Sequence, residues 1–291
     1  MEAATMSQLL QHLRLTDWPF SVVPRPEHCT FVAGRPQLRD DVTSLLRALS
    51  RRDSSSIHVL WSWFGAGKTH SLYYMANRAS EFCSQGESVR LEPIYTEFPK
   101  GARSFVDLYR CFVTQMDTEL LTEAFLELST SPQGSKFYQA LMLRSPDLAT
   151  TLRVLAIESN PQSKIIATRS LRGDPLPISE FRKIGVVQKL TSTEEATQTL
   201  AAIVQLLSEA ARLQGHHGFR ILWMLDEFQR IASAGKRHIV EINAGLHSLF
   251  NACPTSLTYV ISVSGTPNEN RLPNWFSAEL RHRIGVTCPR R

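Results

Sequence analysis

Four short segments read as strands, separated by longer stretches in which apolar residues return at helical spacing. The runs are Ile57 to Trp61, Val89 to Tyr95, where Arg90 and Glu92 stand among the apolar residues, Phe219 to Leu225 and Leu257 to Val263. Mainly apolar runs of this length, as in the first, third and fourth, suit strands covered on both faces, as in a parallel sheet. Between them the period changes. After Gly34-Arg35-Pro36, the residues Leu38, Val42, Leu45, Leu46 and Leu49 fall on one face of a helix from Pro36 to Leu49. The spacing also predicts helices from about Lys68 to Glu81 and from Ile239 to Phe250, and most of Ser104 to Leu213 is helical in pattern. That long stretch is interrupted at Ser131-Pro132-Gln133-Gly134, Ser159-Asn160-Pro161 and Gly173-Asp174-Pro175. Strands alternating with helices predict an α/β fold: a parallel, doubly wound sheet flanked by helices, with a helical insertion before the third strand.

Ahead of the sheet, Met6 to Leu15 has helical spacing, Thr16-Asp17-Trp18-Pro19-Phe20 breaks it, and the proline-rich Val23 to Glu27 carries the chain across a surface. The chain therefore divides into an N-terminal segment with its helix, residues 1–50, and a core, residues 51–291, in which 100–215 is largely helical insertion. No internal repeat or low-complexity tract interrupts this plan.

The first strand runs into Ser62-Trp63-Phe64-Gly65-Ala66-Gly67-Lys68-Thr69, and a helix begins at the end of that turn. Strand, glycine turn and helix start are the context of a loop that cradles phosphate. Gly65 and Gly67, with Ala66 between them, let backbone N–H groups point inward, and the helix N-terminus adds partial positive charge. Lys68 is placed to reach the β- and γ-phosphates of a nucleotide, and the Thr69 hydroxyl to hold Mg²⁺. Ser62 stands where such loops usually have their first glycine, which predicts a lower nucleotide affinity.

The third run ends in Asp226-Glu227, two carboxylates at the carboxyl edge of a buried strand, where open α/β sheets bind ligands. Asp226 is expected in the Mg²⁺ shell, and Glu227 is expected to orient and deprotonate an attacking water. The fourth run leads into Ser264-Gly265-Thr266-Pro267-Asn268. Beside the phosphate strand, a polar side chain there reaches a γ-phosphate or the lytic water; Thr266 is the first candidate, then Ser264 or Asn268, against a turn chosen only for its backbone. Ala278 to Gly285 carries Arg281 and Arg283, which serve as an arginine finger on a neighbouring subunit or simply as a solvated face. Trp61, Trp63 and Trp223 lie on or beside buried strands, which favours core packing over base stacking.

Composition narrows the class without naming a partner. With 43% apolar and 20% charged residues the chain reads as an ordinary globular protein. Its longest apolar runs are too short for a membrane span, and Met1 to Leu15 lacks the basic start of a secretory signal, so a cytoplasmic protein is expected. The five cysteines, Cys29, Cys83, Cys111, Cys253 and Cys288, are scattered and odd in number, which suits buried or half-buried thiols. A net charge of +5 and a pI near 9.1 permit nucleic-acid binding, with Arg51-Arg52 and Lys236-Arg237-His238 as basic clusters.

Taken in order, Phe31-Val32-Ala33-Gly34-Arg35-Pro36-Gln37-Leu38, Gly65-Ala66-Gly67-Lys68-Thr69-His70, Leu225-Asp226-Glu227-Phe228, Ser264-Gly265-Thr266-Pro267 and Leu280-Arg281-His282-Arg283-Ile284-Gly285 resemble the motifs of AAA+ P-loop ATPases. Within that group they resemble the origin-recognition or initiator clade. The likeness spans nearly the whole chain. It implies an ASCE-type parallel sheet, ATP and Mg²⁺ as cofactors, adenine contact at Val32 and Gly34, a nucleotide-side position for His70, and Arg283 before Arg281 as the finger. It also implies a homo-oligomer with other protein subunits and DNA as partners. A looser likeness, through Ala167 to Asp174 and Gly218 to Leu222, is to bacterial ATP-binding proteins of BREX-type phage defence; transposition-regulator ATPases share the Gly-Thr-Pro turn. The function implied is ATP-driven assembly in phage defence or mobile-element control, with an ATP-gated scaffold of little turnover as the alternative. No C-terminal lid is recognisable before Arg291, which leaves truncation, a lid from another chain, or slow hydrolysis as expectations.

Overall fold

The computed structural model describes residues 24–30, 32, 35–51, 54–84, 89–265 and 272–284. Four strands, β1 (Ser56–Ser62), β2 (Val89–Glu97), β3 (Gly218–Asp226) and β4 (Leu257–Ser264), form one parallel sheet in the order β1-β4-β3-β2. The expected α/β architecture is present, with all four apolar runs as strands. The expected helix at Met6 to Leu15, and any strand after Gly285, lie outside the described residues. Ile284 alone bridges in parallel to Ile57, on the edge of β1 away from β4.

The central strands β3 and β4 are nearly continuous in apolar residues because both faces of the sheet are covered. On β3, Ile221, Trp223 and Leu225 belong to one core and Leu222 and Met224 to the other. Helices α1 (Pro36–Arg51) and α2 (Lys68–Ser84) close the second face. The first is closed by α3 (Phe105–Gln115), α9 (Thr193–Leu213) and α10 (Lys236–Ala252). Trp223 sits at the centre of that larger core, edge-on to Phe105, Phe112 and Tyr259, and its Nε1 donates to Thr96 Oγ1 at 2.7 Å. A buried indole N–H needs such an acceptor. Helix α10 approaches α3 so closely that a Cβ on Gly245 would lie 2.3 Å from Phe105 Cγ, which is why a glycine stands in mid-helix.

Between α3 and α9 the chain forms α4 (Thr118–Thr130), α5 (Ser135–Arg144), α6 (Pro146–Ile157), α7 (Pro161–Leu171) and α8 (Ile178–Arg182). Only α3 and α9 of this stretch pack extensively on the sheet; α4 packs on α9, α6 on α4, and α7 on α6. Three breaks fall at the proline and glycine clusters read from the sequence, and two more, at Met116-Asp117 and at Ser145, were not read there. Asn160 caps α7, accepting from Gln162 N–H at 2.9 Å with Pro161 at the first helical position, and Ser192 and Glu195 form a capping box on α9. The pattern missed a further irregular stretch, Lys183 to Ser192, whose two extended N–H groups at Val187 and Gln188 donate to the Asp147 carboxylate. No helix among the described residues is long and apolar enough to cross a membrane.

Candidate functional site

In a parallel sheet every strand delivers its C-terminal residue to the same rim. Here that rim gathers the turn after β1, Asp226 and Glu227 after β3, Ser264 ending β4, and Glu97 ending β2. Because β4 lies between β1 and β3, the first two are about 10 Å apart at the backbone, two strand spacings. The side chain of Thr69, in the first turn of α2, crosses this gap: its Oγ1 donates to Asp226 Oδ2 at 2.6 Å, joining residues 157 positions apart.

Asp226 is only 1% exposed, and a buried carboxylate is tolerated when its oxygens are satisfied. Four donors do so. Oδ2 accepts from Thr69 and from the Tyr95 hydroxyl at 3.0 Å; Oδ1 accepts from the Ser262 hydroxyl at 2.6 Å and from Glu227 N–H at 2.8 Å. Register explains the convergence. Tyr95 pairs with Met224, which shares the parity of Asp226 on β3, and Ser262 shares the parity of Val260 on β4, so all three side chains leave on the α2 face. Burial, with the Asp226 carboxylate beside it, pushes the Tyr95 phenol far above its ordinary range, and the ring packs on Tyr73 of α2 at 4.4 Å. Tyr95 is therefore a donor throughout the physiological range.

The turn after β1 has the backbone that the glycines predict. Gly65 and Gly67 have φ of 73° and 79°, in the left-handed region that favours glycine. An α-helix leaves its first N–H groups without helical carbonyls, and in α2 the N–H of Ser71 meets Gly67 O at 2.9 Å. Lys68 Nζ donates to the carbonyls of Ser62 at 3.2 Å and Trp63 at 2.7 Å. Burial pushes this ammonium below the ordinary lysine value of 10.5, against the opposing pull of Asp226 and Glu227. Trp63 departs from expectation: it is 51% exposed and Phe64 73%, whereas Trp223 is fully buried and Trp61 half-buried. Trp63 follows the last residue of β1, where the backbone curls around the turn and its side chain leaves the sheet.

Pro26 and Cys29 are tied to the same helix, and Arg35 to the turn before it. Asn77 Nδ2 donates to Pro26 O at 2.9 Å and Cys29 O at 3.1 Å, and Cys29 Sγ lies 3.3 Å from His70 Nδ1. Arg35 donates to Ala66 O at 2.6 Å. Val32 is half-buried against the α1 and α2 core. Gly34, Thr266 and Asn268 lie outside the described residues. Cys29 and Cys253 are buried and Cys111 half-buried, the environment their spacing suggested.

Glu227 begins a 3-10 turn, Phe228–Ser233, with φ 55° and ψ 31°, the one left-handed non-glycine residue among those described. Such a conformation is held only where its surroundings fix it. Its Oε2 accepts from Gln229 Nε2 at 2.9 Å, and Arg230 lies 3.6 Å away. Arg230 also pairs with Glu97 at 2.5 Å and donates to Phe98 O at 3.0 Å, which ties the turn to the end of β2. Gln229 Oε1 accepts from Ser264 N–H at 3.0 Å.

The arginines expected as a finger are elsewhere. They lie on α11 (Ala278–Arg283), whose end is level with Ile57 at the start of β1, about 17 Å of strand from Ser62. Arg281 donates to Pro273 O at 2.8 Å, and Arg283 lies over the Phe250 ring at 5.8 Å. Neither serves the turn of its own chain.

Arg35, Tyr95, Ser262, Gln229 and Arg230 had no assigned role from sequence. The signal for one of them was available: Ser262 carries a hydroxyl inside a strand buried on both faces, and such a group requires a partner. As a whole the rim offers backbone N–H groups, one ammonium, a hydroxyl beside a carboxylate, and a second carboxylate 1 residue on, a donor set suited to a polyphosphate with a hard divalent cation. No protein-family model matches the chain, and no curated protein matches it.

Proposed function

We propose that this chain is a magnesium-dependent ATPase of the AAA+ kind, whose turn at Lys68 and acidic pair at Asp226 and Glu227 work on one triphosphate. The observation that carries the proposal is the 2.6 Å hydrogen bond from Thr69 to Asp226, which joins the ends of two strands that are not neighbours. The position of β4 beside β1 supports the ASCE form of the sheet, since the strand expected to sense nucleotide lies next to the phosphate strand. In this reading the loop N–H groups and α2 bind phosphate oxygens, and Lys68 exchanges its carbonyl partners for the β- and γ-phosphates. Thr69 Oγ1 and Asp226 hold Mg²⁺, which when bound neutralises phosphate charge. Glu227 takes the proton of the attacking water.

Titration with ATP and Mg²⁺ tests the proposal directly. The phosphate-binding form of Lys68 is protonated, and its pKa in the free protein lies below 10.5. Affinity therefore falls as pH rises through that lowered value. Lys68→Arg, charged throughout, binds more weakly and without the alkaline fall. A wild-type protein that binds no adenine nucleotide ends the proposal. An ATP-gated switch with little turnover is the second reading, favoured by Ser62 in the loop and by the two groups that already engage the Glu227 carboxylate.

Two features support assembly and DNA as partners. Arg281 and Arg283 sit at the far end of β1 from their own loop, so a finger role requires a second copy of the chain, the closed arrangement usual for homo-oligomers. Charge is also uneven: residues 131–190 carry nine Lys and Arg against four Asp and Glu, while the remainder is balanced at 23 of each. The whole excess lies on α5 to α8 and their connections. Lys136, Arg144, Arg153, Lys164 and Arg182 there are exposed and make no ion pair among the described residues. Binding to a DNA duplex should weaken steeply with salt, and Arg153→Glu with Lys164→Glu should lower the logarithmic slope by about 2, near 0.9 per lost phosphate contact. An affinity indifferent to salt removes DNA from the proposal and leaves the ATPase standing.

A further inference from the structure

Building on the assignment of Glu227 as the base, we propose that Gln229 is the positioning residue that aims it. One side-chain amide spans from the end of β4 to the carboxylate: Oε1 accepts from Ser264 N–H at 3.0 Å, and Nε2 donates to Glu227 Oε2 at 2.9 Å. The chemistry at the two ends fixes which way the amide faces. A backbone N–H only donates and a carboxylate only accepts, so the oxygen must face Ser264 and the nitrogen Glu227. No other common side chain of this length satisfies both ends. Glutamate would accept from Ser264 but repel Glu227, and lysine would serve Glu227 but leave the N–H of Ser264, itself buried, without a partner.

The bridge answers a mechanical need. Glu227 starts a turn in the left-handed region, so its backbone gives the side chain no strand or helix to lean on. Its fixed points are two residues of the same turn, Gln229 and Arg230, each anchored to a different strand: Gln229 to β4, and Arg230 to Glu97 and Phe98 at the end of β2. Of the two, Gln229 makes the hydrogen bond at 2.9 Å while Arg230 stands off at 3.6 Å. The immediate neighbourhood leaves little slack. A Cβ on Gly265 would lie 2.7 Å from Trp61 Nε1, and Gly265 N–H is held on Ser62 O at 3.3 Å.

The charged groups around Glu227 are Arg230 in its own turn, Glu97 behind that arginine, Asp226 before it and Lys68 of α2 across the rim. The test is kcat and KM for phosphate release in wild type, Gln229→Glu, Gln229→Ala and Glu227→Gln, with ATP binding measured alongside. Gln229→Glu keeps the length and the acceptor for Ser264, loses the donor, and sets a second carboxylate against the base. We expect kcat to fall at least about tenfold. ATP affinity should stay within about twofold, since among the described residues Gln229 touches only the backbone N–H of Ser264 and the Glu227 carboxylate. Gln229→Ala should lose turnover too, having removed the donor, and it serves if the extra charge disturbs folding. Wild-type kcat in both variants, with Glu227→Gln inactive, overturns the role of Gln229 and leaves the base intact. Phosphate release in Glu227→Gln equal to wild type overturns the base itself.

Discussion

Glu227→Gln is expected to cut multiple-turnover phosphate release by at least about 100-fold while leaving ATP bound, the range removed with a general base. The substitution keeps the size of the side chain and its acceptor for Gln229 Nε2, so the turn from Phe228 to Ser233 has no steric reason to change. It removes the negative charge that faces Arg230 at 3.6 Å, a pair about a quarter to a third exposed and worth little to stability. The loss should therefore lie in turnover, with affinity unchanged or improved. Equal phosphate release from both proteins would leave the switch reading as the better account of the same geometry.

Asp226→Asn is the second large effect, and it separates fold from metal. An amide at this site keeps one oxygen and replaces the other with a nitrogen that donates. Glu227 N–H cannot turn to accept, whereas the hydroxyls of Thr69, Tyr95 and Ser262 can rotate. The oxygen should stay on the Ser262 and Glu227 side, and the nitrogen should face Thr69 and Tyr95. Folding should then change by no more than about 1–2 kcal/mol in urea titration, the scale of one rearranged buried hydrogen bond. Retention of Mg²⁺ should fall far more, because the amide would present a nitrogen on the Thr69 side where a hard divalent cation takes oxygen, and would remove the carboxylate charge. Mg²⁺ dependence of phosphate release shifted at least about 100-fold, with ATP binding in the absence of metal retained, is the expected pattern, a loss larger than the 10- to 100-fold typical of outer-shell partners. Unchanged Mg²⁺ dependence would exclude Asp226 as a ligand.

The two central strands, β3 and β4, were the most legible because they are buried on both faces, whereas the edge strand β2 carries Arg90 and Glu92 and is largely half-buried. Ile221 to Leu225 is the clearest case: consecutive residues feed opposite cores, so no polar position interrupts the run. The meeting of Thr69 with Asp226 was also legible, since each motif fixes its place at the end of a strand. What the sequence withheld is the lateral order. Tyr95, Ser262 and Gln229 matter because β2, β4 and the turn after β3 arrive side by side at one rim, and a linear pattern carries no record of which strand lies beside which. Trp63 was misread for a related reason. Proximity to a buried strand predicts burial only while the chain still runs as a strand, and at Trp63 it has already left the sheet.

The interleaved sheet has a temporal consequence. Strand β4 stands between β1 and β3, yet it is made after both. A nascent chain that has emerged through Glu227 owns each motif in full, but the strand that must hold them at their working separation has not yet been synthesised. Such non-local closure is intrinsically slow and leaves apolar strand edges unpaired meanwhile. Competence to bind nucleotide would then arise in a single late step, when residues 257–264 insert, and a translating ribosome would carry an inert precursor until that strand has emerged.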